Sequence, residues 1–211
     1  LPYLQKGIDY VHSQDYDCIV RNSGGLAVVL DEGVLNLTLV FPEENGKIGI
    51  NKGYDAMWEL ICYMFRDFDQ EIEAGEIVGS YCPGSYDLSI HGKKFAGISQ
   101  RRIRGGVAVQ IYLDVCGNAA DRAALIKEFY ARARGGEETK FVYPEVNPAV
   151  MASLSELLEV NLTVEDVVGR FLQSIKSFSD ELVSGGLSGE ERPVYESYLE
   201  RIQERNEKLG I

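Results

Sequence analysis

The chain has 211 residues, of which 45% are hydrophobic and 26% are charged, a balance typical of a globular domain with a sizeable core. Its net charge of −12 argues against non-specific nucleic-acid binding, which depends on neutralising phosphates with Lys and Arg. No apolar run approaches the roughly 20 residues that span a bilayer. The four cysteines are widely spaced and only two histidines accompany them, which argues against a metal site and indicates reduced thiols in the cytoplasm.

The first part of the chain predicts three short strands and a helix. The runs YDCIVRN, LAVVLDEG and VLNLTLVF are apolar and β-branched and are separated by turn signals. We therefore expect strands at roughly 16–21, 26–30 and 34–41. Apolar residues then recur at helical spacing between Met57 and Phe68, which predicts an amphipathic helix at roughly 53–69.

The middle of the chain predicts a hairpin between two further strands. A strand near 76–81 leads into the segment SYCPGSYDLSIHGKKFAGISQRR. Apolar and polar residues alternate from Tyr86 to Ile90, His91 and Gly92 supply the turn, and Lys93 to Ile98 runs back. The run GVAVQIYLDV predicts another strand after this hairpin.

The C-terminal third of the chain predicts helices. Asn118 opens NAADRAALIKEFYARA, and PAVMASLSELLE, TVEDVVGRFLQSIKSF and ERPVYESYLERIQERNEKLG follow. Strands followed by helices predict an α+β or mixed α/β fold, with 146–211 as a helical C-terminal portion. We expect residues 1–211 to form one domain that lacks its N-terminal part, because the sequence begins at Leu1 rather than Met.

Cys82 is the candidate nucleophile of this sequence. It lies beside the Pro83–Gly84 turn, and a segment with five basic and no acidic residues runs from Leu88 to Leu113. A thiol becomes a useful nucleophile when it is partly exposed and when nearby positive charge favours the thiolate. A structural thiol is the alternative interpretation of the same residue.

The other three cysteines divide into one rival and two core residues. Cys116 ends a strand and is followed by a glycine, so it competes for the role of nucleophile. Cys18 and Cys62 are expected in the core, because free cysteine is among the residue types most often buried.

Lys94 is the candidate cation for Cys82, since an ammonium close to a thiol favours the thiolate and can carry a proton to a leaving amine. The alternative is a pair of solvated turn lysines. A two-residue turn would pair Lys94 with Ser89, seven residues from Cys82, which is roughly 23 Å along a straight strand. The Pro83–Gly84 bend must therefore fold Cys82 back over the hairpin.

Two segments carry a family resemblance. VRNSGGLAVVLDEGVLNLTL resembles the RRxSGGGAVxHDxGxLNxS stretch of the lipoate–protein ligase and octanoyltransferase superfamily. GKKFAGISQRR resembles that family's GxKIxGxAQxR segment, in which the lysine is the key active-site cation. The resemblance spans roughly Asp17 to Leu113. It implies the catalytic fold shared with biotin–protein ligases, a mixed β-sheet flanked by helices.

The cysteine indicates a branch within that superfamily. ATP-dependent ligases typically carry GRNDI before the lysine segment, whereas this chain reads CPGSYDL. That sequence resembles the cysteine acyltransferases of Gram-positive bacteria, which form an acyl-thioester on the enzyme. The strand VAVQIYL lacks the HG that is usual in the members that take octanoate from acyl carrier protein. The resemblance therefore favours the members that take it from the glycine cleavage H protein.

The resemblance implies a reaction and a site. Cys82 would accept an octanoyl or lipoyl group from the lysine of the H protein and pass it to the lysine of lipoyl domains of 2-oxoacid dehydrogenases. By the same resemblance, no ATP or other cofactor would be required. Lys94 would polarise the acyl oxygen and hold the thiolate. The residues that would shape the substrate site are Arg21, Ser23, Gly24, Gly25, Asp31, Asn36, Gly97 and Gln100.

The partners implied by the resemblance tend to be acidic, so the basic run from Lys93 to Arg104 is expected to be a docking edge. Three alternatives stay open. The enzyme can use octanoyl-acyl carrier protein or resemble a lipoate–protein ligase, the chain can be a non-catalytic module that holds lipoyl domains, or Cys116 can be the nucleophile.

Overall fold

A computed structural model of the protein describes residues 1–22, 24–43 and 48–211. The strands are β1 (Val34–Pro42), β2 (Glu73–Ala74), β3 (Asp87–Ile90), β4 (Lys93–Ile103) and β5 (Gly106–Asp114). They form one sheet in the order β1-β5-β4-β3-β2. The pairings between these strands are antiparallel, and an isolated parallel bridge joins Lys94 to Met151.

Helices pack around this sheet and fill the C-terminal third. They are α1 (Leu4–His12), α2 (Ile50–Met64), α3 (Ala119–Arg134), α4 (Leu154–Leu157), α5 (Val164–Phe178) and α6 (Glu191–Glu207), and a short 3₁₀ helix lies at Pro148–Val150. The predicted α+β class with a helical C-terminal third is confirmed.

The sheet separates two hydrophobic clusters because side chains alternate along each strand. On β5, the odd-numbered residues from Val107 to Leu113 join the cluster that contains α2 and the start of α5. Tyr112 points the other way and joins a cluster with α3 and Tyr81. Tyr81 precedes the candidate nucleophile Cys82 in the chain, so the second cluster anchors the backbone next to Cys82.

The helix ends follow the chemistry of their capping residues. The side chain of Asn118 accepts a hydrogen bond from the amide of Asp121 at 3.1 Å and begins α3. Thr163 and Asp166 form the predicted capping box at the start of α5.

Several predicted elements differ from the structure. Segments 16–21 and 26–30 are irregular rather than strands, and the strand expected near 76–81 is replaced by the short β2. These segments pack by their side chains, as Val29 and Tyr81 do in the second cluster, instead of pairing with the sheet. The helix expected over PAVMASLSELLE is interrupted where Met151 bridges to Lys94, and α1 was not predicted.

Candidate active site

The β3–β4 hairpin positions Lys94. His91 and Gly92 both have positive φ, 52° and 71°, as the tightest hairpin turns require. Lys94 pairs with Ser89, as predicted, and the register shifts between Leu88 and Ser89. A bulge of this kind re-aims the side chains beside it.

The ammonium of Lys94 is buried and fully engaged. Its Nζ lies 2.8 Å from Oδ1 of Asp87 and donates to the carbonyls of Cys82 at 2.9 Å and Tyr81 at 3.1 Å. Ser80 Oγ lies 3.3 Å away. Three good acceptors match the three protons of an ammonium. The alternative of a solvated turn lysine is therefore wrong, since Lys94 is only 2% exposed.

Two opposing effects act on the pKa of Asp87 in the buried ion pair. Burial raises the pKa of the Asp87 carboxyl, and the neighbouring Lys94 ammonium opposes that rise. A Cβ added at Gly97 would lie 3.5–3.6 Å from Lys94 and Asp87 atoms, so the predicted site residue Gly97 borders this pair. The pair, in turn, supports the backbone of the candidate nucleophile.

Cys82 has an unusual backbone conformation. Its φ is 49°, in the left-handed region that residues with a side chain rarely adopt, and such conformations cluster at functional sites. The bend that follows is closed by a hydrogen bond from the amide of Asp87 to the carbonyl of Gly84 at 3.0 Å. The bend expected at Pro83–Gly84 therefore does bring Cys82 to Lys94, at the backbone carbonyl.

The thiol of Cys82 faces the loop that precedes β1. Its Sγ accepts a hydrogen bond from the amide of Leu26 at 3.1 Å and lies 3.6 Å from Nη2 of Arg21. Gly25 has a φ of 104°, and a Cβ there would lie 2.6 Å from Arg21 Nη2 and 2.9 Å from Cys82 Sγ. Only glycine permits this close approach of loop, guanidinium and thiol.

The other predicted site residues differ in their surroundings. Gly24 adjoins open space, because a Cβ there would meet no atom within 4 Å. Asn36 is exposed on β1, opposite Tyr112. Gln100 Nε2 donates to the carbonyl of Ile50 at 3.1 Å and so contacts α2 rather than the thiol. Ser23 lies outside the described residues.

Asp31 belongs to a buried polar network that sequence reasoning missed. Its Oδ1 accepts from Arg122 Nε at 2.6 Å, and Arg122 Nη1 reaches Asp114 at 2.7 Å. The Tyr112 hydroxyl donates to Asp114 at 3.3 Å and is hydrogen-bonded to the hydroxyl of Tyr81. Burial raises the pKa of Asp114 to about 7. The network thus anchors the residue before the candidate nucleophile, and no motif in the sequence marks it.

The remaining cysteines occupy less reactive environments. Burial raises the pKa of the thiols of Cys18, Cys62 and Cys116, which reduces the thiolate fraction at neutral pH. Each is half-buried; Cys62 and Cys116 pack against the first cluster, on the α2 side of the sheet.

The basic segment presents less charge than its sequence indicates. Lys94 is buried, and Arg102 pairs with Glu43 at 2.9 Å and donates to the carbonyl of Ile48. Lys93 and Arg104 are exposed, and Arg101 is half-buried. Lys93, Arg101 and Arg104 are therefore the basic residues of the segment for which the described residues show no ion pair with a carboxylate.

The described residues contain neither a cluster suited to a metal ion nor a helix suited to a membrane. Within residues 1–22, 24–43 and 48–211, no group of three or more His, Cys, Asp or Glu is arranged to hold a metal ion. Over the same ranges, no helix combines the length and the apolar character needed to cross a bilayer.

The lipoyl protein ligase A/B catalytic domain model matches residues 2–176. The chain belongs to this family. The membership inferred from the two sequence motifs is thereby confirmed. One relative is the octanoyl-[GcvH]:protein N-octanoyltransferase of Geobacillus kaustophilus. It is 56% identical over 207 residues, which cover 98% of this chain and 73% of the relative.

Further relatives carry closely related names. The octanoyl-[GcvH]:protein N-octanoyltransferase of Lysinibacillus sphaericus is 56% identical over 209 residues, 99% of this chain and 75% of the relative. The lipoyl-[GcvH]:protein N-lipoyltransferase of Listeria monocytogenes is 50% identical over 209 residues, 99% of this chain and 75% of the relative. The relatives thus differ in the acyl group that their names specify.

Solved structures of the family share the fold. Lipoate-protein ligase A bound with ATP has a TM-score of 0.67 at 16% identity, over 90% of this chain and 70% of that chain. The bipartite lipoate protein ligase of Thermoplasma acidophilum has a TM-score of 0.64 at 16% identity, over 92% and 72%. The fold expected from the motifs is confirmed.

Proposed function

We propose that this protein moves an octanoyl group from the lysine of glycine cleavage H protein to the lysine of lipoyl domains of 2-oxoacid dehydrogenases, through a thioester on Cys82. The donor is proposed from the names of relatives that are 56% identical to the chain. One observation carries the choice of nucleophile. The Sγ of Cys82 lies between the amide of Leu26 and the guanidinium of Arg21, an environment that favours a thiolate.

The reaction consists of two acyl transfers. The Cys82 thiolate attacks the carbonyl carbon of the octanoyl-lysine amide, forming the C–S bond; the C–N bond breaks and the leaving nitrogen takes up a proton. The acceptor lysine then attacks the thioester carbon as a neutral amine, loses a proton and releases the thiolate. One amide replaces another, so no ATP is required.

The residues around the thiol have distinct roles in this scheme. Lys94 holds the Cys82 carbonyl and remains the proposed cation for the acyl oxygen. Gly24 adjoins open space and Gly25 adjoins the thiol, so an aliphatic chain can lie against the backbone there. Asn36, exposed on β1, is proposed to contact substrate at the edge of this site. Ser23 retains its proposed substrate-binding role from the motif alone.

A lipoyl group is a second candidate substrate. The relative from Listeria monocytogenes, 50% identical, is named a lipoyltransferase. Both acyl groups end in the same kind of amide to lysine, so the chemistry at Cys82 is the same for each. The acyl preference is tested with the two donors in parallel.

The protein partners are proposed to dock along β4. Lys93, Arg101 and Arg104 are at least partly exposed, and among the described residues they are the basic residues of that segment without a carboxylate partner, whereas Lys94 and Arg102 form ion pairs. Complementary charge mainly increases association rates. Arg104→Glu should therefore raise the KM for a protein substrate at low salt, with the effect lost at high salt. An unchanged KM at low salt would remove this docking edge.

The acyl-enzyme provides the direct test. The full chain is incubated with octanoyl-H protein, lipoyl-H protein or octanoyl-acyl carrier protein, and the trapped adduct is mapped by mass spectrometry. The proposal requires that octanoyl-H protein loads Cys82 and that the lipoyl domain discharges it. Cys82→Ser should abolish loading, and Cys116→Ser serves as the matched control. A label on Cys116, or loading by acyl carrier protein alone, contradicts the proposal.

A further inference from the structure

We infer that Arg21, rather than Lys94, is the cation that stabilises the thiolate of Cys82, and that the amide of Leu26 is its second donor. The inference rests on the proposed role of Cys82 as nucleophile. It assigns the two basic residues of the site to different tasks, one to the sulfur and the other to the backbone.

The contacts of Arg21 support this assignment. Its Nη2 lies 3.6 Å from Cys82 Sγ and donates to the carbonyl of Leu26 at 3.0 Å. In the part of the chain that the structure describes, no carboxylate forms an ion pair with Arg21. Its charge therefore acts on the sulfur without a nearby counter-ion to cancel it. The Leu26 amide, at 3.1 Å from Sγ, adds a fixed dipole.

The contacts of Lys94 indicate that its charge acts on Asp87 and on the backbone rather than on the sulfur. Its ammonium is 2.8 Å from the Asp87 carboxylate, so the pair as a whole is close to neutral when viewed from the sulfur. Its remaining protons face the carbonyls of Cys82 and Tyr81. These bonds hold the left-handed backbone of Cys82 in place, which makes Lys94 a positioning residue for the thiol.

The other titratable groups around the thiol are neutral or are held elsewhere. From α3, the hydroxyl of Tyr130 accepts the amide of Ala27 at 3.0 Å, and burial raises its pKa to about 12, so it is uncharged at neutral pH. From β4, Arg101 donates to the carbonyl of Asn22. Arg21 is thus the charged group that contacts the sulfur itself.

Gly25 makes the arrangement possible. A Cβ at this position would lie 2.6 Å from Arg21 Nη2 and 2.9 Å from Cys82 Sγ, closer than unbonded atoms tolerate. A side chain there would push the guanidinium away from the thiol without removing its charge. Gly25→Ala is therefore a second variant that tests the same contact.

The rate at which iodoacetamide alkylates Cys82 measures the thiolate directly. The full chain is alkylated between pH 6 and pH 10, and the Cys82 peptide is quantified by mass spectrometry. In Arg21→Met we expect the rate at pH 7 to fall about tenfold, the effect of removing one opposite charge beside an ionisable group. Arg21→Lys should restore most of that rate. The difference between the variants and the parent should narrow towards pH 10, because higher pH favours the thiolate in every variant.

Lys94→Met is the comparison variant, and its loss at pH 7 should be smaller than that of Arg21→Met. Gly25→Ala should behave as Arg21→Met does, which keeps the test available if Arg21→Met does not fold. An unchanged rate in Arg21→Met, a loss that does not narrow towards pH 10, or an equal or larger loss in Lys94→Met overturns the inference. Alkylation needs no acyl donor, so its outcome is separate from failure of the proposed transfer reaction.

Discussion

The ammonium of Lys94 donates a hydrogen bond to the backbone carbonyl of Cys82 at 2.9 Å, across 12 positions of sequence. The cation that the family motif places in the site therefore contacts the nucleophilic residue through its main chain. Because Cys82 has a φ of 49°, it needs such external support to stay in the left-handed region. The buried ion pair of Lys94 and Asp87 provides it.

Removing the counter-ion of this pair should lower the free energy of unfolding of the protein. In Asp87→Asn the ammonium of Lys94 stays buried without its carboxylate, and breaking a buried pair in this way costs about 3–5 kcal/mol. The free energy of unfolding in urea measures the loss. The double variant Asp87→Asn with Lys94→Met should lose less than Asp87→Asn alone, because no charge is then buried. A double variant less stable than the single one would contradict this account.

Lys94→Met alone should make stability depend more strongly on pH. Burial already raises the pKa of Asp87, and Lys94 opposes that rise, so its removal raises the pKa further. A carboxyl whose folded pKa exceeds its unfolded pKa binds more protons when folded, so stability falls as pH rises through that interval. The variant should therefore lose more stability than the parent as pH rises above the ordinary carboxyl range, about pH 4. Asp114 titrates in both proteins, and the difference between them isolates Asp87.

Gly25→Ala and Gly24→Ala form a matched pair of adjacent substitutions. At Gly25 the added Cβ meets Arg21 Nη2 at 2.6 Å and Cys82 Sγ at 2.9 Å, and the φ is 104°. At Gly24 it meets nothing within 4 Å. We expect Gly25→Ala to lower kcat about 100-fold, because the added Cβ separates the guanidinium from the thiol. Gly24→Ala should lower kcat much less and act mainly on the KM for the acyl donor, because the acyl chain is proposed to lie against that backbone. Equal effects in steady-state transfer assays would refute the role given to Gly25.

The site is only partly predictable from the sequence, and particular residues show why. Cys82, Lys94 and the Gly-Gly loop were found because local motifs mark them, and the turn at His91–Gly92 fixes the hairpin register that sets Lys94 opposite Ser89. The contact between Arg21 and the thiol was not predicted. It joins residues 61 positions apart, and hydrophobic periodicity carries no information about such contacts.

The strand errors have the same origin. Segments 16–21 and 26–30 have the β-branched composition of strands. Each nevertheless contributes a residue that contacts the Cys82 thiol, Arg21 from the first and Leu26 from the second. Leu26 uses its amide to bind sulfur rather than a neighbouring strand. The reason is tertiary: β-propensity measures how well a side chain fits a half-buried surface, and here that surface is the Tyr81 cluster.

Cys116 should be replaceable. Burial raises the pKa of its thiol, so at pH 7 it is less ionised than an ordinary cysteine and reacts more slowly. Cys116→Ser should therefore keep transfer within about twofold of the parent. The alkylation rate of Cys116 should also increase with pH well beyond neutrality. A loss of acyl-enzyme in Cys116→Ser, with the fold intact by circular dichroism, would restore Cys116 as the nucleophile.

Among the residues named by the motifs, Gln100 makes a structural contact, whereas Asn36 is proposed to contact substrate. Gln100 Nε2 donates to the carbonyl of Ile50 at the start of α2, and its Oε1 accepts from Arg102 at 2.6 Å. Asn36 is exposed on β1. Gln100→Ala should therefore lower the free energy of unfolding by about 1 kcal/mol, the typical net value of a hydrogen bond, with KM nearly unchanged.

Asn36→Ala should show the reverse pattern, with stability within about 0.5 kcal/mol of the parent, as for surface substitutions generally, and with a raised KM for the protein substrate. The two variants are compared by urea unfolding and by steady-state transfer under one set of conditions. A raised KM in Gln100→Ala without loss of stability would place that residue at the substrate after all.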